Sequence, residues 1–87
     1  MISQREKNEI LGLLESRVKV LQGPSKIEKL QMTKRIRRTV DATFGIDVFT
    51  PEQIITRLEH KLSGIFSLFP YGFKKDLEKM IREIMKR

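Results

Sequence analysis

The residues of this chain with the most chemistry to offer are its cations, because of where they fall. Lys34-Arg35-Ile36-Arg37-Arg38 sets four positive side chains around a single apolar one. At 100° per residue, Lys34 and Arg38 stand about 160° from Ile36, and Arg35 and Arg37 flank it at about 100°. Nearer the C-terminus, Lys75, Lys79, Arg82 and Lys86 recur at i, i+4, i+7 and i+11. On a helix that spacing is one stripe, about 16 Å long at 1.5 Å per residue, with Asp76, Glu78 and Glu83 to its sides and Leu77 and Ile84 opposite. Like charges at i,i+4 repel by about 0.2–0.5 kcal/mol per pair. Helix stability alone favours acids between them, so a stripe of one sign points to an external polyanion. Phosphate is the anion that Lys and Arg most often meet on nucleic acid, where such contacts position a protein without reading sequence.

Reactive chemistry is much thinner. His60 is the only histidine, and it falls in the last turn of a helical segment, where a cation complements the helix C-terminus. Nothing near His60 in the sequence looks like a nucleophile partner, and a lone histidine makes no visible triad. Cysteine is absent, which excludes disulfides and thiolate metal sites. The glycines at 12, 23, 45, 64 and 72 are scattered and form no Gly-x-x-x-x-Gly-Lys phosphate cradle. The sequence therefore predicts no enzyme, no cofactor and no metal site.

The elements that carry these residues read as four helices. Ser3 and Glu6 make a capping box for a helix over 4–21, with Ile10, Leu11, Leu14, Val18 and Leu21 on one face. Gly23-Pro24 ends it. Ser25 and Glu28 repeat the box for a helix over 26–44. Its stripe is Met32, Ile36, Val40 and Phe44, extended at the start by Ile27 and Leu30, and the drift of the stripe predicts a bend near 31–33. Gly45 is the expected stop, and 46–49 an extended link. Thr50-Pro51-Glu52-Gln53 opens the third helix with a capping box, Pro at the first helical position, and Phe49 and Ile54 placed as a staple. Ile54, Ile55, Leu58 and Leu62 form its apolar face, and Gly64 is the expected end. Four of the six aromatics fall within 65–73. That stretch reads as a buried corner closing the bundle, with an exposed docking patch or membrane-surface insertion beside a basic helix as its alternatives, and Pro70-Tyr71-Gly72 reads as a turn. A last helix over 73–85 turns Phe73, Leu77, Met80, Ile81, Ile84 and Met85 to one side.

The second helix, the link at 45–49 and Thr50-Pro51-Glu52-Gln53-Ile54-Ile55 resemble the opening of a tri-helical helix-turn-helix domain. A recognition helix should then follow the third helix after a short turn. About nine apolar and aromatic residues stand there instead, and no family is assigned.

With 87 residues the chain is one domain, 1–87. A hydrophobic content of 39% beside 33% charge places it among globular proteins rather than disordered ones. One-sided helices joined by short links predict an all-α, single-domain bundle of four helices. Net charge is +7, which favours phosphate, anionic lipid or an acidic protein as a neighbour. No apolar run reaches the roughly 18 residues of a membrane span. Residues 1–9 are charged almost from the outset and lack a signal-peptide core, so the expected setting is cytoplasmic and a membrane partner is disfavoured. The leading expectation is a small protein that binds DNA or RNA, as a regulator or accessory factor, through Lys34, Arg35, Arg38, Lys75, Lys79, Arg82 and Lys86. The alternative is a helical interaction module, of the adaptor, inhibitor or immunity type, that recognises an acidic protein surface. Pairing with a second copy stays open.

Overall fold

A computed structural model describes residues 3–44 and 50–86. The element order is α1 (Gln4–Lys19), α2 (Lys26–Phe44), α3 (Pro51–Lys61), α4 (Ser63–Phe66) and α5 (Phe73–Lys86), with no strand among the described residues. Four of these are long enough to build a bundle, and α4 is a single turn between α3 and α5.

Each long helix starts or packs as its local sequence dictates. The Ser3 hydroxyl accepts from the Glu6 amide at 3.2 Å, and the Glu6 carboxylate accepts from the Ser3 amide at 3.0 Å. Ser25 and Glu28 exchange the same pair of bonds at the start of α2, as do Thr50 and Gln53 at the start of α3, where Pro51 takes the first helical position. Two otherwise unpaired amides are satisfied at each of these ends. The expected Gly45 stop, the link at 46–49 and the Phe49 half of the staple lie outside the described residues.

The core runs through every element. Ile10, Leu14 and Val18 come from α1, Ile36 and Val40 from α2, and Ile54, Ile55 and Leu58 from α3. Leu62 and Ile65 contribute around α4, Phe69 from the turn, and Phe73, Leu77, Ile81 and Ile84 from α5. All are buried. In space α1 packs on α2, α2 on α3, α3 on α5, and α5 back on α1. The four long helices thus form a ring, with α2 and α5 at opposite corners.

Three expectations need correction. Helix α1 ends at Lys19, not 21, because Val20 leaves helical geometry at φ −91° and ψ 0°. Helix α3 ends at Lys61, and Gly64 sits inside α4 rather than terminating anything. Ile27 and Leu30 do not extend the buried stripe of α2: they are 71% and 57% exposed. The reason is rotational. Ile27 precedes Ile36 by nine residues, which at 100° each turns it about 180° away. Lys29 is on the inner side at that end, its ammonium donating to the Lys19 carbonyl at 2.9 Å. On the buried face Thr39 and Thr43 take inward positions. Thr39 donates to the Arg35 carbonyl at 2.9 Å, while the Thr43 hydroxyl has no hydrogen-bond partner among the described residues.

Ile65, Phe69 and Phe73 of the 65–73 stretch belong to the core, while Leu68 and Tyr71 are exposed. Phe66, Phe69 and Phe73 form a three-ring cluster with centroids 5.7, 6.3 and 4.6 Å apart, tilted or edge-on, geometry that suits the ring quadrupole. Arg17 of α1 lies over Phe73, 5.6 Å from its centroid, tying the first helix to the last.

Candidate nucleic-acid interface

Burial of Ile36 and Val40 on one helix and of Leu77, Ile81 and Ile84 on another fixes which way the cations face. On α2, Lys34 and Arg38 are exposed on the side away from Ile36. On α5, Lys75, Lys79, Arg82 and Lys86 are exposed on the side away from Leu77 and Ile84. Because α2 and α5 stand at opposite corners, these are two separate cationic faces rather than one.

The cations are not equivalent within those faces. Lys34, Arg38, Lys75, Lys79 and Lys86 make no ion pair among the described residues. Arg82 does: its guanidinium meets Glu52 of α3 and, at 2.9 Å, Glu78 one turn back on α5. Arg35 is turned toward the protein, its guanidinium donating to the Lys61 carbonyl at 3.3 Å. That bond satisfies an end carbonyl of α3, as basic side chains near helix C-termini do. Thus Arg35 and Arg82 hold neighbouring helices, and the remaining cations of the two stripes extend into solvent. Outside them, Lys7 pairs with Asp41 at 2.9 Å, Arg37 with Glu15 at 2.9 Å and Lys74 with Glu59 at 2.6 Å.

Of these partnerships, only Glu78–Arg82 is readable from local sequence, through its i,i+4 spacing. Glu52 lies 30 residues from Arg82, and Glu15 lies 22 from Arg37. No local pattern announces either.

Between α1 and α2 lies a surface groove of about 490 Å³ lined by Gln4, Asn8, Leu11, Gly12, Glu15, Arg37 and Asp41. Its acids are already met by Arg37 and Lys7, and Gln4 donates to Asn8 at 3.2 Å. The groove is internally neutralised and presents no excess charge to a ligand. Among the described residues no three His, Asp or Glu side chains gather as a metal cluster. His60 is exposed in the last turn of α3 beside Lys61. No helix of the described residues is long and apolar enough to cross a membrane. In α4 and the turn after it the chain has one helical turn and an aromatic corner where a helix-turn-helix domain would place its recognition helix.

No family model, curated protein or solved structure matches the chain. Each role assigned to a residue therefore rests on that residue's own surroundings.

Proposed function

We propose that this protein binds nucleic acid through phosphate contacts and acts by binding rather than by catalysis, as a cytoplasmic regulator or accessory factor. The observation that carries the reading is the set of exposed, unpaired cations on two outward helix faces: Lys34 and Arg38 on α2, and Lys75, Lys79 and Lys86 on α5. Asp41, Glu15, Glu59 and Glu52 are drawn into pairs with Lys7, Arg37, Lys74 and Arg82, while these five cations of the +7 chain are held by no acid among the described residues, Asp76 and Glu83 standing to the sides of the α5 stripe. Arg35 and Arg82 are exposed but hold neighbouring helices, and their phosphate contacts are secondary.

The test is binding of a labelled duplex and a labelled single strand at several salt concentrations. Micromolar-range binding at physiological salt is expected, with log K falling linearly against log salt. Replacing Lys75, Lys79 and Lys86 together with Ala removes cations that hold nothing in the fold. The slope on duplex should drop by about 2–3, near 0.9 for each phosphate that is no longer neutralised. Absence of any binding at about 20 mM salt, well below the conditions for that expectation, would overturn the proposal.

One observation favours a second reading. Exposed Ile27 and Leu30 share a face of α2 with Lys34 and Arg38. Apolar and cationic groups side by side suit an acidic protein surface with apolar anchors. That reading predicts that Ile27→Ser with Leu30→Ser leaves nucleic-acid binding intact.

A further inference from the structure

The turn between α4 and α5 is built to hold one aromatic ring in water. Around it the chain is tightly fixed. Phe69 and Phe73 are buried on either side of Tyr71 and stack edge-on at 4.6 Å. The amides of Leu68, Phe69 and Phe73 donate to the carbonyls of Ile65, Phe66 and Pro70 at 3.0, 3.1 and 3.1 Å. The last of these closes a β-turn over residues 70–73, with Tyr71 second and Gly72 third. Gly72 has φ 97°, the left-handed value that the third position of a type II turn requires and that glycine takes without strain. Tyr71 is thus held at the tip by two buried rings, and its own side chain is fully exposed, with Leu68 47% exposed in the same turn. The tip sits at the N-terminal end of the ridge that begins at Lys75 and continues to Lys79 and Lys86.

We propose that Tyr71 stacks on an unpaired base while the α5 lysines follow the adjoining phosphates, so that this face takes single-stranded nucleic acid. The inference deepens the nucleic-acid reading and rests on it. A π-face beside a cationic track is the shared chemistry of single-strand binders, because every base offers a ring and every nucleotide a phosphate. The scale fits. A ridge about 16 Å long with three lysines that make no ion pair among the described residues can follow a short run of phosphates on one strand. In a duplex the bases are stacked on each other and give Tyr71 no face to meet. Both DNA and RNA supply the ligand, and the inference concerns unpaired bases in either.

The experiment uses the intact chain, a 20-nucleotide oligothymidine and a 20-base-pair duplex. Tyr71 is the only tyrosine and the chain has no tryptophan, so intrinsic emission, corrected for absorbance by the oligonucleotide, reports on this ring alone. Quenching is expected with the single strand and not with the duplex. Tyr71→Ala should leave the melting temperature unchanged and weaken single-strand binding about fivefold or more, as loss of a stacked base does, with duplex binding unaltered. Tyr71→Phe should retain single-strand affinity. Equal binding of Tyr71→Ala and wild type to the single strand would overturn the stacking role while the salt-dependent reading stood. Equal weakening on both ligands, or loss in Tyr71→Phe, would show a hydroxyl contact instead and overturn it as well. Failure of wild type to bind either ligand would overturn the underlying reading.

Discussion

At the scale of the residue, buried polar groups separate into satisfied and unsatisfied, and their substitution should behave accordingly. Thr43 is buried on the inner face of α2, and its hydroxyl has no partner among the described residues. Burying an unmade hydrogen bond costs about 1–3 kcal/mol, so Thr43→Val should raise stability by about 1 kcal/mol in urea denaturation. Thr39→Val removes a hydroxyl that already donates to the Arg35 carbonyl and should gain less. A Thr43→Val protein no more stable than wild type would mean that the hydroxyl is satisfied after all. Thr50 is the converse. Its hydroxyl accepts from the Gln53 amide, and Thr50→Ala should cost about 1 kcal/mol through the lost cap.

At the scale of the element, helix α2 sets two kinds of aliphatic residue on one backbone. Ile36 is fully buried and Ile27 largely exposed. Ile36→Ala should cost about 2–5 kcal/mol, as removal of buried branched side chains does. Ile27→Ala and Leu30→Ala should each stay within about 0.5 kcal/mol. Equal costs at 27 and 36 would mean that the N-terminal half of α2 is covered. The same helix shows where sequence is informative. Its cap is legible because Ser25 and Glu28 need only each other, three residues apart. Ile36 and Val40 are legible because they fall together under a 3.6-residue period. Ile27 and Leu30 mislead because apolar character outweighs rotational phase in a reading by residue type. The helix faces that meet are not legible at all. Arg37 finds Glu15, and Arg82 finds Glu52, only after the ring of helices closes. Residue type and spacing thus identify the stripe cations, but not that Arg35 and Arg82 reach across to α3, nor that Tyr71 stands clear of Phe69 and Phe73.

At the scale of the whole molecule, the two cationic faces stand at opposite corners, and their contributions should be separable. Lys34→Ala with Arg38→Ala and the triple change on α5 should each leave the helical circular-dichroism spectrum intact, because none of these side chains makes an ion pair among the described residues. If each face contacts phosphate independently, the reductions in salt slope should add when the changes are combined. A combined slope no smaller than that of the α5 change alone would assign binding to α5 only. Arg82→Ala should behave differently from the lysine changes. It leaves Glu52 and Glu78 without their partner, so a loss of stability of about 1 kcal/mol or less should accompany any loss of binding.

The contact of Arg17 with Phe73 joins the first long helix to the last, and this has a kinetic side. The other helix pairings in the ring link helices close along the chain, and bundles of such local contacts fold in roughly microseconds to milliseconds. Bringing Arg17 and Phe73 together must close about two thirds of the chain, an entropic cost that grows with loop length. That seam should therefore form after the rate-limiting barrier. A weakened seam then raises the unfolding rate and leaves the folding rate almost untouched. In stopped-flow measurements Phe73→Leu should lift the unfolding arm of the chevron and hasten escape from the native state, while Ile36→Ala, on the buried face of α2, slows folding itself.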